Sequence, residues 1–175
     1  TGVHLIPSLA PELRQRWYGR MGEGGYKGTF SLLLLLGIGL IVAGWRSSQP
    51  AVIYMFPPAV HPVALGLLVL AFLLLVVSTR QSRLRQWIRH PQLTGVLLWG
   101  VAHLLLNGDS RSLLLFGGLT LWALVEIIAI SRREGVWIKE PVPGWGAEVV
   151  TLLITAVVVG VVVAVHPWIA GMPAH

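Results

Sequence analysis

Five apolar runs separated by short polar segments constrain this chain more than any other feature of its sequence. About 20 residues in a helix cross a hydrocarbon core of about 30 Å, and a lone strand in lipid leaves its backbone groups unsatisfied, so even the Val-rich last run is predicted to be helical. Only 11% of the 175 residues are charged, against about 25% in soluble domains. We therefore predict an all-α, polytopic transmembrane helix bundle with five full spans: 28–45, 63–79, 93–106, 113–130 and 149–165.

The distribution of Lys and Arg predicts the orientation of the bundle. The loops at 1–27, 80–92 and 131–147 carry eleven of the 13 basic residues, whereas the alternate loops carry two. Basic loops stay in the cytoplasm, so these three are predicted to be cytoplasmic. The net charge of +6 then indicates contact with anionic lipid, and we expect the lipid bilayer, not nucleic acid, as a partner.

The third run holds the residues most able to carry chemistry. Gly95, Trp99, His103 and Asn107 recur in steps of four and form one stripe on a helix, with Gly100 beside it. A histidine inside a span is costly and is by default a functional hypothesis. Two interpretations stay open: a buried histidine hydrogen-bonded to a neighbouring helix, or a ligand for a metal such as haem iron, for which helix bundles offer flat apolar walls.

The segment before this run carries a second candidate. Arg89 and His90 precede Pro91, which suits the first turn of a helix. His90 is either an interfacial residue that begins the helix or a contact for a phosphate or cofactor at the helix N-terminus. It lies 13 residues from His103, about 20 Å along a helix, so the two cannot bind one iron.

The remaining candidates are weaker. His61, His166 and His175 are interpreted as ordinary interface or tail residues. Glu126 is expected to reach the membrane surface and pair with Arg132 or Arg133. With no cysteine, thiolate metal sites and nucleophiles are excluded, and because no Ser/His/Asp set or buried carboxylate pair is present, the catalytic residues stay unknown.

Several separated motifs resemble the NnrU family of bacterial membrane proteins. The resemblance covers about residues 2–133 of what we interpret as a single domain, 1–175, whose segment 134–175 is a loop and the last span. The motifs are Gly2-Val3-His4, Gly22-Glu23-Gly24-Gly25-Tyr26-Lys27-Gly28, Arg89 to Trp99, Ala102-His103-Leu104-Leu105, Asn107-Gly108-Asp109, Ser112 to Gly118 and Trp122-Ala123.

The resemblance implies a bundle of about six spans in the bacterial inner membrane, with the first mostly missing here. The family takes its name from nitrite and nitric oxide reduction, and it includes zeta-carotene isomerase, which uses a b-type haem held by histidines. Carried over by position, His4 and His103 are the haem ligands. The stripe of the third run adds Trp99 and Asn107 to the candidate cofactor site, and the segment before that run adds Arg89 and His90. Loop counting places His4 near the cytoplasmic side, so His4 with His90 is the alternative pair. The isomerase has a cysteine three residues before its second ligand, where this chain has Gly100.

Three functions follow as hypotheses. The first is a b-haem protein with a redox-linked or cis–trans isomerase role on a small apolar substrate, related to carotenoids or to denitrification. The second is a non-catalytic subunit or assembly factor of a larger membrane complex. The third is an S-adenosylmethionine-dependent membrane methyltransferase, because the Arg89-His90-Pro91 to Gly95 pattern resembles those enzymes, although Glu126 stands alone where they have paired glutamates.

Overall fold

A computed structural model of the chain describes residues 11–170, and within them the fold is all-helical. The helices are α1 (Pro11–Ser47), α2 (His61–Val77), α3 (Pro91–Leu106), α4 (Ser110–Glu134) and α5 (Trp145–Ala170). One short 3-10 helix, Pro58–Val60, precedes α2, and another, Arg83–Gln86, lies between α2 and α3.

The helices have the length and composition of membrane spans. Four candidate spans of 20 to 36 residues coincide with α1, α2, α4 and α5, and α3 is a shorter apolar helix. All five predicted spans are thereby placed on helices, and α3 begins at Pro91 as expected. The chain is a multi-pass membrane protein, and its apolar helices belong in a lipid bilayer.

The prediction of a loop over residues 1–27 is wrong from Pro11 onward, because α1 begins at Pro11. Residues 12–16, with Glu, Leu, Arg and Gln, favour helix, and Lys27 pairs with Glu23 at 2.6 Å one turn before it. Gly22 interrupts the helix with φ 66° and ψ −179°, a conformation that glycine tolerates and other residues rarely adopt. The basic first part of α1 and its apolar second part are therefore separated by a backbone break.

Helix α3 is central, since it packs extensively against both α2 and α4, while α5 packs against α2. Two buried glycines of α3 make the contacts close. A Cβ built on Gly95 would lie 2.9 Å from the carbonyl oxygen of Ala71 in α2, and one built on Gly100 would overlap the Thr120 hydroxyl of α4. Small residues at such positions let helix backbones approach each other in a membrane.

The turn between α3 and α4 closes one end of the bundle, which we call the hairpin end. Asp109 caps α4 by accepting from the backbone N–H groups of Arg111 and Ser112. Burial alone would raise the pKa of Asp109, but hydrogen bonds from Ser112 and Arg111 outweigh it and lower the pKa below its usual value. The connector after α1 lies on this turn: Gly108 O accepts from the Ile53 amide at 2.8 Å, and Ser110 N donates to Ala51 O at 2.8 Å.

A polar network closes the opposite end, which we call the basic end and define as residues 80–90 with 131–147. Glu148, in the first turn of α5, accepts from the Ser82 hydroxyl at 3.0 Å and from the Arg83 amide at 2.6 Å. The Arg83 guanidinium lies 4.0 Å from the centre of the Trp145 ring. These contacts hold the start of α5 against the segment that links α2 to α3.

We expect Gly95→Ala to destabilise the bundle, because its new methyl group meets a backbone oxygen that cannot rotate away. Overpacking of this kind costs about 1–3 kcal/mol. Gly66→Ala in α2 is the matched control, since a methyl group added at Gly66 would have no atom of residues 11–170 within 4 Å, and both variants gain the same helix propensity. Thermal unfolding followed by tryptophan fluorescence in detergent compares them. Equal melting temperatures would contradict the close α2–α3 approach.

Candidate functional site

His103 lies one turn before the end of α3, half-buried near the hairpin end. Its Nδ1 lies 2.9 Å from the carbonyl oxygen of Trp99. A carbonyl can only accept, so Nδ1 carries the proton and, in the neutral ring, Nε2 presents its lone pair. In metal sites, a hydrogen bond from the ring nitrogen that does not bind the metal orients the histidine in the same way.

Aromatic rings flank the His103 imidazole. The ring of Phe116 in α4 stacks on it with centroids 4.4 Å apart and an interplanar angle of 27°, and Trp99 lies against it at 4.4 Å. Trp99 and Phe116 also meet edge to face at 5.1 Å. We call His103, Trp99 and Phe116 the aromatic cluster. Two of its members were predicted from the stripe on α3, and Phe116 was not.

The other members of the predicted stripe have structural partners. Gly95 contacts α2, as described above. Asn107 ends α3: its backbone N–H and its side-chain amide both donate to the His103 carbonyl oxygen, at 2.8 and 3.1 Å. Asn107 therefore holds the backbone of His103 in place. This role at the end of α3 explains why Asn107 lies next to the aromatic cluster.

A cavity of about 260 Å³ lies at the basic end, and both residues predicted there line it, Arg89 and His90. Arg89 donates to the Gly135 carbonyl oxygen at 2.8 Å and pairs with Glu134 at 3.3 Å. His90 Nε2 lies 2.9 Å from the Ser131 hydroxyl. Both side chains thus join the start of α3 to the end of α4. The remaining lining residues are Arg85, Glu134, Val136, Trp137, Ile138 and Glu140.

The six predicted cofactor residues divide between the two ends of α3. His103, Trp99 and Asn107 lie together near the hairpin end, while Arg89 and His90 lie at the basic end, about 20 Å away along the helix. The sixth, His4, lies outside the described residues, so neither its pairing with His103 nor the alternative with His90 is tested.

Glu126 differs from expectation. The sequence predicted a carboxylate at the membrane surface paired with Arg132 or Arg133, but the side chain is buried, with 3% of its surface exposed. Neither carboxyl oxygen has a hydrogen-bond partner among the described residues. The prediction is wrong because the position of Glu126 along α4 does not determine which face of the helix carries it. Glu126 follows Ala123 by three residues, so the two share a face, and both are buried.

His166 lies in α5 and is partly exposed, so its position agrees with the interface residue that the sequence predicts. It belongs to the same end of the bundle as His103, because α3 and α5 both run toward the hairpin end.

The chemistry of His103 fits a residue that would hold haem iron. His103 offers an oriented nitrogen without a hydrogen bond on Nε2 among the described residues, and aromatic rings flank it. A haem needs one or two such ligands. A metal ion without a porphyrin has fewer ligands available: in residues 11–170, no group of three His, Asp or Glu side chains is placed to hold one.

These features define a multi-pass helical membrane protein with an oriented intramembrane histidine. The chain belongs to the NnrU family, whose sequence profile, described as "NnrU protein", matches residues 1–174. The match extends beyond residue 133 and includes α5. Comparison with curated proteins and with solved structures found no match.

We expect His90 to make stability depend on pH. Burial lowers the pKa of His90 below its usual value of 6.5; Glu134 opposes this effect and Arg89 adds to it. A lowered pKa in the folded state means that the unfolded chain binds the proton more readily, so stability is lost as the pH falls below 6.5 toward the folded-state value.

His90→Gln removes the titration and retains a polar side chain for the Ser131 hydroxyl. Melting temperatures of the two proteins, measured in detergent across this pH range, should diverge, with the wild type losing more on acidification. Parallel curves would show that His90 titrates alike in the folded and unfolded states.

Proposed function

We propose that this chain binds a b-type haem through His103 and serves a redox-linked or isomerase role in the bacterial inner membrane. The observation that carries the proposal is the His103 imidazole, with Nδ1 bound to the Trp99 carbonyl oxygen at 2.9 Å and Nε2 left for a ligand. Membership of the NnrU family supports it, because the family resemblance implies a haem held by histidines.

The residues of this chain would have distinct tasks in such a site. His103 would hold the haem iron through Nε2, and His4 is proposed as a second residue that would hold it. Trp99 and Phe116 would exclude water from the imidazole, and Asn107 would fix the backbone that carries it. Bound haem supplies one-electron chemistry, and the substrate class we propose is a small apolar molecule, such as a carotenoid, or a nitrogen oxide.

The orientation belongs to the same proposal. Eleven of the 13 basic residues lie in 1–27, 80–92 and 131–147, and this asymmetry supports a cytoplasmic basic end. The aromatic cluster would then lie toward the opposite face of the membrane, because α3 ends there. A tag at the C-terminus, which follows α5, should be reached by a membrane-impermeant label from the periplasmic side.

Removal of His103 should remove the haem. Changes to residues that only orient a metal ligand cost roughly 10–100-fold in metal affinity. His103→Ala removes the ligand itself, so its loss of haem affinity should be larger. Full-length protein made in haem-replete cells is purified in detergent, and its absorption spectrum and pyridine haemochrome are recorded. We expect a b-type signal in the wild type and none in the variant.

His61→Ala is the matched control, since His61 is an exposed histidine at the same end of the bundle, in the first turn of α2. It should retain the haem of the wild type. A wild type without a Soret band, or equal haem content in all three proteins, would refute the proposal.

An accessory-subunit role is the second candidate, and α1 is the observation that favours it. In the part of the chain that the structure describes, none of its membrane-length apolar window is buried, so that surface is open to lipid or to another protein. Recovery of the same membrane protein with the tagged wild type, and its loss when the apolar face of α1 is altered, would support this candidate. Turnover by a purified monomer would count against it.

Methyl transfer has less support from the geometry. Arg89, which the resemblance to membrane methyltransferases would assign to S-adenosylmethionine, already donates to Glu134 and Gly135. This candidate requires saturable binding of S-adenosylmethionine that is lost in Arg89→Ala.

A further inference from the structure

The seven carboxyl side chains of this chain all lie in the described part, and Glu126 differs from the other six. Each of the others is exposed, paired or used as a cap. Glu126 alone among these seven is buried, at 3% exposure, and within residues 11–170 neither of its oxygens has a hydrogen-bond partner. The others are Glu12, exposed in the first turn of α1; Glu23, paired with Lys27; Asp109, the cap of α4; Glu134, paired with Arg89; Glu140, paired with Arg85; and Glu148, which accepts from Ser82 and Arg83.

The level of Glu126 along α4 places it inside the membrane. It lies eight residues from Glu134 at the basic end and 16 from Ser110 at the hairpin end, or about 12 Å and about 24 Å along the helix. Ala123, one turn before it, is fully buried. The carboxyl group is therefore within the packed part of the bundle.

The helix packed against α4 provides no charge to balance a carboxylate at this level. The one titratable side chain of α3 is His103, which stacks on Phe116, ten residues before Glu126 and about 15 Å away along the axis. On α4 itself, Arg132 and Arg133 follow at six and seven residues, about 9–10 Å further on.

The other described helices add nothing at this level. Between Gly28 and Trp45, α1 has no charged residue. In α2 the one titratable side chain is His61, at the hairpin end. In α5 they are Glu148, at the basic end, and His166, at the hairpin end.

We propose that Glu126 is an intramembrane proton-binding site, which holds a proton as the neutral acid and exchanges it with water at the basic end. A buried carboxyl without a partner is tolerated when it is neutral, and ionisation in such surroundings is strongly opposed. Along α4, the basic end is about 12 Å from Glu126 and the hairpin end about 24 Å, so water at the basic end is the closer source of protons. The proposal does not depend on haem, because Glu126 and His103 lie about 15 Å apart in level.

Infrared difference spectroscopy of the full chain in lipid vesicles tests the protonation directly. The wild type at neutral pH should show a carbonyl band of a protonated carboxylic acid that shifts in deuterated water. The band should be lost in Glu126→Gln and retained in Glu134→Gln, a control carboxyl on the same helix. It should fade when the pH is raised and return when the pH is lowered.

Three results would overturn the proposal: no such band in the wild type, a band unaffected by Glu126→Gln, or a band that persists unchanged at alkaline pH, which would mean a neutral acid without exchange. Glu126→Asp keeps an acid and provides a second variant if the glutamine variant does not fold; its band should remain with a shifted frequency.

A chemical probe gives an independent readout. Dicyclohexylcarbodiimide dissolves in lipid and modifies protonated carboxyl groups, so intact protein in vesicles should be labelled at Glu126, with loss of labelling in Glu126→Gln and retention in Glu134→Gln. Labelling that survives Glu126→Gln, or that maps to another carboxyl, would place the protonated group elsewhere and overturn the assignment.

Discussion

The close approach of α3 to its two neighbours is the contact on which the rest of the bundle depends. In a membrane, apolar surface alone does not drive helices together, because lipid is as apolar as a side chain, so backbone proximity and packing must supply the attraction. Gly95 permits it toward α2 and Gly100 toward α4. The second contact also sets the register that brings Phe116 onto His103. Gly100 is thus accounted for in this chain by packing against α4.

The helices could be predicted from the sequence because lipid leaves little choice: an apolar run of sufficient length must form a helix. Pro91 and Asp109 marked their boundaries by ordinary helix-terminus chemistry. The contact between the connector and the Gly108 turn could not be predicted, since it joins residues more than 50 positions apart. The polar composition of the first part of α1 indicates a loop, whereas its individual residues favour helix, and in the structure helix propensity prevails.

Only the part of the site that lies on one helix could be predicted from the sequence. The stripe on α3 follows from helical spacing, so Trp99 and His103 could be found within one helix. Phe116, Glu126 and His166 lie on other helices, and their relation to α3 depends on how each helix is rotated about its own axis. Periodicity indicates which residues of a helix share a face, but the packing of the whole bundle decides which face is turned inward.

The connector after α1 has a consequence for the order in which the protein is assembled. Its backbone contact with the start of α4 links Ala51 to Ser110, 59 positions later in the chain. During synthesis the first partner is therefore made long before the second, and the contact cannot form until α3 and α4 have both entered the membrane. The closing of the hairpin end is a late event, and until then α1 is held to the bundle mainly by its chain linkage to α2.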